Sequence, residues 1–217
     1  MTAPSRTIAV FGATGRTGWR VCNHARAADY SLSLLVRDAA RLSGDHAAAY
    51  RDARVTTGNV LNAADVDATV AGADAIISAL ASDDFRAPGE VLAQGMLNIV
   101  AAANHNGVRR IIAMAGGGVL DSPAGGLRSE QPGYPAIFAA VTLAHQGTWR
   151  ALRDSGLDWT LVCTPDLTDA PRTGNFRVLA DLMPEGGRQI SRDDLAYWMI
   201  GQLGLSEFIG KRVGAAT

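Results

Sequence analysis

The sequence has little of what would tie it to an extracellular scaffold, a membrane or a nucleic acid. It has only two cysteines, Cys22 and Cys163, far apart and outside any Cys-x-x-Cys pair. Neither a disulfide framework nor a metal site is indicated, and both read as buried thiols of a reducing cytoplasm. Basic and acidic residues nearly cancel, 20 against 21, for a formal net charge of −1. With no basic excess, a nucleic-acid partner is not expected. No apolar run approaches the ~20 residues of a membrane helix, so no membrane partner is expected. Met1 to Arg6 do not contain the apolar stretch of a signal peptide. Aromatic residues are scarce, and Trp149, Trp159 and Trp198 read as core residues rather than ligand platforms. No internal repeat, charge block or low-complexity linker divides the chain. What remains, with 217 residues of which 47% are hydrophobic, is one cytoplasmic domain over 1–217, with a core to bury and an oligomeric state of monomer or dimer.

The most informative stretch comes first. A β-branched apolar run, Thr7-Ile8-Ala9-Val10-Phe11, feeds the glycine-rich loop Gly12-Ala13-Thr14-Gly15-Arg16-Thr17-Gly18, and a helical stretch follows from Trp19 to Ala28. A strand, a glycine triplet and a helix in that order form the context of a dinucleotide fingerprint. Gly12 suits the tight turn out of the strand, Gly15 lets backbone approach a pyrophosphate, and Gly18 lets the helix pack close to the sheet. The helix start then offers N–H groups and a favourable dipole to the phosphates.

A second strand, Ser31 to Val36, ends in Arg37-Asp38-Ala39-Ala40-Arg41. In a doubly wound fold this end lies beside the adenosine ribose, where an acid reads the 2′-OH of NAD and an arginine accommodates the 2′-phosphate of NADP. Arg37 occupies the position, Arg41 and Arg16 are expected to converge on the same phosphate, and Asp38 reads as the cap of the next turn. Strand three, Arg54 to Gly58, runs into Asn59 and Val60, candidates to flank an adenine; Asn62 reads as the N-cap of a helix over Ala63 to Val70. Strand four, Ala75 to Ala79, leads to Leu80-Ala81, small enough to lie against the cofactor. A helix is expected from about Gly89 to Asn104, with His105 at its end as a dipole partner. Strand five, Arg110 to Ala115, enters Gly116-Gly117-Gly118 and then a long loop rich in Gly, Pro and Ser, the kind that is functional or mobile. A helix over about Ala136 to Ser155 and a sixth strand, Trp159 to Cys163, complete the alternation. This pattern predicts an α/β fold, a doubly wound parallel sheet with helices on both faces. Residues from about 165 to 217 read as a small substrate-side cap: an extended Phe176 to Leu179, a helix capped by Ser191, and a last extended piece, Lys211-Arg212-Val213, expected at a sheet edge.

The glycine loop with Val36-Arg37-Asp38 resembles the atypical short-chain dehydrogenase/reductases of the NAD(P)H-binding, NmrA-like group. So do Gly58-Asn59-Val60-Leu61, Leu152 to Thr160, and Leu167-Thr168-Asp169 with Thr173-Gly174. Within that group the chain is most similar to the biliverdin-IXβ/flavin reductases, through Val-Arg-Asp-x-x-Arg-Leu and Ala-Asp-Val-Asp-x-Thr-Val-Ala-Gly. The resemblance covers almost the whole chain. It implies a Rossmann fold, NADP(H) as cofactor, and hydride transfer to a flat conjugated small-molecule acceptor: a flavin, quinone or tetrapyrrole. The group also contains non-catalytic NADP(H) sensors, which form the alternative.

The chain departs from ordinary short-chain dehydrogenases in ways that bear on the reaction. Where they place a serine after strand five it has Gly116, and Tyr134 is followed four residues on by Phe138, so there is no Tyr-x-x-x-Lys. His145 falls near the lysine-equivalent position, and Asp166 follows Pro165 where the flavin reductases carry a histidine. Reduction of a ketone needs a proton donor at the oxygen; reduction of a conjugated ring depends mainly on stacking. The nicotinamide is expected over Leu80, Ala81, Met114 and Ala115, with Pro165 close by. The acceptor is expected in a cleft between the Gly116–Tyr134 loop and the Pro165–Thr168 turn, with Gly116 and Leu167 on the substrate side and His145 and Asp166 as candidates for proton supply or orientation.

Overall fold

A computed structural model describes residues 6–217; of the stretch Met1 to Arg6, read above as lacking the apolar part of a signal peptide, residues 1–5 lie outside the described residues. Ten strands and five α-helices follow in order: β1 (Thr7–Phe11), α1 (Gly18–Ala27), β2 (Ser31–Val36), β3 (Arg54–Thr57), α2 (Ala63–Val70), β4 (Ala75–Ser78), α3 (Ala93–His105), β5 (Arg110–Gly116), α4 (Ala139–Arg153), β6 (Asp158–Thr164), β7 (Asp166–Thr168), β8 (Arg177–Ala180), β9 (Gln189–Ser191), α5 (Arg192–Gly201) and β10 (Lys211–Ala216). Eight of the strands form one sheet in the order β3-β2-β1-β4-β5-β6-β10-β8. Every neighbouring pair is parallel except β10 with β8.

The central strands are apolar throughout because both faces of the sheet are covered. Alternate residues serve different cores. Ala9, Phe11, Ile76, Ile111 and Ala113 pack with Val66, Ile99 and Leu152 from α2, α3 and α4. Ile8, Val10, Ile77 and Ile112 pack on the other side with Val21, Cys22, Leu195 and Met199 from α1 and α5. Both cysteines are buried free thiols, and burial pushes Cys22 up to about 12 and Cys163 up as well. Trp159 is buried, while Trp149 and Trp198 pack against the two cores.

Local signals work as the sequence suggests. Asn62 accepts from the N–H of Ala64, Asp38 from that of Ala40, and Ser191 from that of Asp194. His105 closes α3 and pairs with Asp67 at 2.6 Å. Two boundaries differ from expectation. Helix α3 begins at Ala93 rather than near Gly89, which has φ +61°, and the first turn before α4, Ala136–Phe138, is a 3-10 turn. One placement is corrected: Lys211-Arg212-Val213 is not an edge strand. β10 lies inside the sheet, parallel to β6 and antiparallel to β8, and β8 forms the edge. The rest of the C-terminal region splits between α5, packed on α1, and a short β7–β9 ribbon that touches β10 and α5.

Candidate functional site

Two cavities open at the carboxyl ends of neighbouring parallel strands, the position in which doubly wound sheets bind ligands. The first, about 360 Å³, sits over β1 and β4. Gly12, Thr14 and Gly15 form its floor, Val36, Arg37 and Arg41 one side, Gly58, Asn59 and Val60 the next, and Ala79 to Asp84 the opposite wall. A third hollow, about 660 Å³, lies at the other end of the sheet where α1 and α5 finish, away from the strand ends that carry such sites.

The three loop glycines have separate jobs. Gly12 has φ +80°, and a Cβ there would lie 2.5 Å from the Ala79 carbonyl oxygen. At Gly18 a Cβ would lie 2.0 Å from the Gly12 carbonyl oxygen, so this glycine lets α1 sit against the loop. At Gly15 the only near atom is the Gly12 carbonyl oxygen at 3.2 Å; the remaining space belongs to the cleft. The turn is closed by the Gly15 N–H donating to that oxygen. No side chain caps α1 and no acid occupies its first turn, so the helix start is left for an anion. Thr17 is buried at the helix start, outside the cleft lining.

The charged groups sort themselves at the cleft mouth. Arg37 and Arg41 both line it; Arg37 faces Asp83 at 3.2 Å and Arg41 donates to the Thr14 carbonyl at 3.3 Å. Asp38 caps its turn, accepting from Ala40 N–H at 2.9 Å, and is not on the cleft lining. Arg16 does not join them. It turns towards Asp169, which also takes Arg20 and Arg192 at 3.4 and 3.1 Å, because three guanidiniums at the start of α1 and α5 share this one carboxylate. Asn59 is both cleft wall and turn amide: its side chain accepts from the Leu61 N–H at 3.0 Å.

The second cavity, about 280 Å³, lies over β5 and β6. Gly116, Gly117 and Gly118 come from the end of β5, and Thr164, Pro165 and Asp166 from the end of β6 and start of β7. Helix α4 contributes Val141, Thr142 and His145, which share one face at helical spacing. The long loop supplies Arg128, Tyr134 and Pro135, with Phe138 and Met183 closing the rim. That loop is tied by its own bonds: Ser122 N–H to Gly126, Arg128 N–H to Leu120, and Glu130 Oε2 accepting from Leu127 N–H. Tyr134 was expected at the end of the bounding loop; Arg128, Thr142, Phe138 and Met183 were not singled out from the sequence. Gly118 packs against this loop: a Cβ there would lie 2.3 Å from the Tyr134 hydroxyl.

Gly116 and His145 form a unit. The Gly116 N–H donates to His145 Nδ1 at 3.1 Å, and a Cβ on residue 116 would stand 3.2 Å from that nitrogen. The imidazole thus lies against the space that a side chain at residue 116 would fill. Burial holds its pKa down at about 4, so it is neutral at pH 7 with its proton on Nε2. As a neutral ring it is a hydrogen-bond donor rather than an imidazolium acid. Tyr134 shares a hydrogen with Thr142 at 2.7 Å. The chain's single lysine, Lys211, lies on β10, away from both cavities. Besides Arg16, Thr17 and Gly18, three expected residues line neither cavity: Ala115 is core, Met114 packs towards the α1–α5 side, and Leu167 does the same. Strand residues alternate faces, and these three fall on the covered ones.

Fold and clefts together define a Rossmann-type dinucleotide-binding protein. Residues 12–204 match the NAD(P)H-binding family, and the chain belongs to it. A Burkholderia pseudomallei protein described as exported is 26% identical and superposes with a TM-score of 0.82, covering 98% of this chain and 100% of that one. A Rossmann-fold NAD(P)-binding family protein from Shigella flexneri is 19% identical with a TM-score of 0.74, over 98% and 93% of the chains. A Streptococcus pneumoniae protein described as an NADH-flavin reductase is 19% identical with a TM-score of 0.78, over 98% and 99%. No helix among the described residues is long and apolar enough to cross a membrane.

Proposed function

We propose that the protein is an NADPH-dependent reductase of a flat conjugated acceptor: a flavin, a quinone or a tetrapyrrole. The observation that carries the cofactor preference is the end of β2. The acid able to accept from a ribose 2′-OH, Asp38, is held in a turn, whereas Arg37 and Arg41 line the cleft. Arg37's partner, Asp83, forms an exposed ion pair of the kind worth little, so a dianionic phosphate can take over its guanidinium. A bound reduced nicotinamide supplies a hydride. The chain's own part is to hold the dinucleotide against Gly12, Gly15 and the Ala79–Ala81 wall and to admit an acceptor to the second cavity.

The second cavity favours ring reduction over carbonyl reduction. His145 is neutral and committed through Nδ1, the Tyr134 hydroxyl is paired with Thr142, and no lysine is near, so a carbonyl oxygen would not find the paired tyrosine and lysine that supply its proton in ordinary short-chain dehydrogenases. A conjugated ring spreads the incoming charge and takes its protons from water. The likeness to biliverdin-IXβ/flavin reductases, and the Streptococcus neighbour described as an NADH-flavin reductase, support this acceptor class. That neighbour's description names NADH, so the preference for NADPH rests on the arginines. We also place the protein in the cytoplasm, where its two thiols stay reduced. Cell fractionation tests this directly, since the Burkholderia protein is described as exported.

Calorimetry with NADPH and NADH, then stopped-flow oxidation of bound NADPH against flavins, quinones and tetrapyrroles, tests the proposal. Arg37→Ala is expected to cost about 1.5–3 kcal/mol of NADPH binding and little of NADH binding, as for a lost charge-assisted hydrogen bond. Equal losses would show that Arg37 does not read the phosphate. Tight NADPH binding with no acceptor reduced above the protein-free rate would make the protein a sensor. Fast reduction of simple aldehydes, lost in His145→Ala, would overturn both readings.

A further inference from the structure

Six arginines among the described residues are partly or fully buried: Arg20, Arg26, Arg110, Arg128, Arg192 and Arg212. Five are committed. Arg20 and Arg192 pair with Asp169, Arg26 donates to the Arg51 carbonyl, Arg110 binds Asp158 and Gln202 carbonyls, and Arg212 pairs with Asp121. Arg128 is the exception: among the described residues its guanidinium has no hydrogen-bond or ion-pair partner, and it lines the second cavity. A half-buried guanidinium without a protein partner is available to an anionic group entering that cavity.

The surroundings hold this arginine ready. Its backbone is fixed, with the Arg128 N–H donating to Leu120 at 2.8 Å. The nearest acid in sequence, Glu130, is spent on the Leu127 N–H at 2.8 Å and does not neutralise it. The walls beside it, Tyr134, Pro135, Phe138 and Met183, are those of a slot for a flat apolar body. The one carboxylate on the lining, Asp166, comes from the opposite wall on β7 and makes no ion pair with Arg128. A ligand with an acidic group is therefore attracted at one end and repelled at the other.

We infer that the acceptor carries a carboxylate or phosphate group and docks it on Arg128, with its ring between the apolar walls and its uncharged end towards Asp166. This rests on the reading of the second cavity as the acceptor site. It narrows the substrate class from flat conjugated molecules to acidic ones, and it makes Arg128 a specificity-determining residue.

Equilibrium binding tests this without needing turnover. The cofactor cleft is filled first with NADP⁺, or with NAD⁺ if the phosphate preference fails, so that probes cannot enter it. Two probe pairs share a ring and differ in charge: FMN against riboflavin, and anthraquinone-2-carboxylate against 2-hydroxymethylanthraquinone. The acidic member of at least one pair is expected to bind on the order of ten- to a hundredfold tighter, and the pair that discriminates identifies the anion. Arg128→Gln should bring that pair to equal affinity, and Arg128→Lys should restore part of the difference. Unchanged circular dichroism in Arg128→Gln confirms that the variant is folded. Equal wild-type affinities, absence of binding by both acidic probes, or a preference that survives Arg128→Gln would overturn the inference. Discrimination without NADPH oxidation would keep the anion site and reject the reductase. Oxidation of neutral and acidic acceptors alike would do the reverse.

Discussion

An imidazole that accepts a hydrogen bond from a backbone N–H and is sheltered from water resists protonation. His145 is in that position, and its pKa of about 4 has two consequences. The first concerns rate. No titration of His145 falls in the physiological range, so turnover should run flat through pH 6.5, where an ordinary histidine would produce an inflection. The second concerns stability. The folded state binds a proton at His145 less readily than the unfolded chain, so its contribution is complete above about pH 6.5 and drains as pH falls towards 4. Thermal unfolding followed from pH 7 to 4 should show a steeper acid-side loss in the wild type than in His145→Gln. Equal slopes would mean that the ring is not held neutral. Gly116 belongs to the same argument, since a side chain there meets the ring at 3.2 Å before it meets any ligand.

At the scale of one element, the loop from β1 to α1 separates folding from binding. Gly18→Ala drives a methyl to within 2.0 Å of the Gly12 carbonyl oxygen. It should therefore destabilise even the cofactor-free protein by about 1–3 kcal/mol or more, the cost of overpacking. Gly15→Val meets only one oxygen at 3.2 Å and otherwise projects into the cleft, so dinucleotide binding should vanish while the melting temperature barely moves. Calorimetry and thermal melts on the two variants check both halves; a Gly15→Val protein that still binds would show that the loop is not the phosphate cradle. This loop was legible from the sequence because its chemistry is local: a strand, three glycines and a helix within a dozen residues. Helices and strands up to β6 were legible for the same reason, through caps and periodicity. The second cavity was legible in outline, as a cleft between the loop after β5 and the turn after β6 with His145 and Asp166 on its lining. Arg128, Thr142, Phe138 and Met183 were not, because what brings them there is packing between residues distant in sequence. The pairing of Arg16 with Asp169 was not legible, because that carboxylate arrives from beyond β7. The place of β10 was equally hidden, since nothing local tells a short apolar strand which neighbours it will have.

Across the whole molecule, Arg212 links regions far apart in sequence. From β10 it donates to the Val119 carbonyl at 2.6 Å, pairs with Asp121 at 2.8 Å and Asp181 at 3.4 Å, and lies 4.1 Å from the Trp149 ring. It thus pins the start of the acceptor-side loop to the sheet interior. Arg212→Met should cost about 1.5–3 kcal/mol, the range for hydrogen bonds to a charged group. It should also weaken acceptor binding more than cofactor binding. Urea unfolding and the two binding constants check this, and equal losses at both cavities would show that the arginine serves stability alone.

The position of β10 also bears on how the protein is made. A chain emerging from the ribosome delivers β1 to β6 in an order that lets each new strand find its parallel neighbour. The edge of β6 then has to wait: β8 arrives first, yet its place is beyond a strand not yet synthesised. Until Lys211–Ala216 appears, β6 and β8 both present unpaired backbone, the condition that invites pairing with another chain. Stalled or shortened translation products should therefore be the aggregation-prone species of this protein, even when they already contain every residue of the dinucleotide cleft.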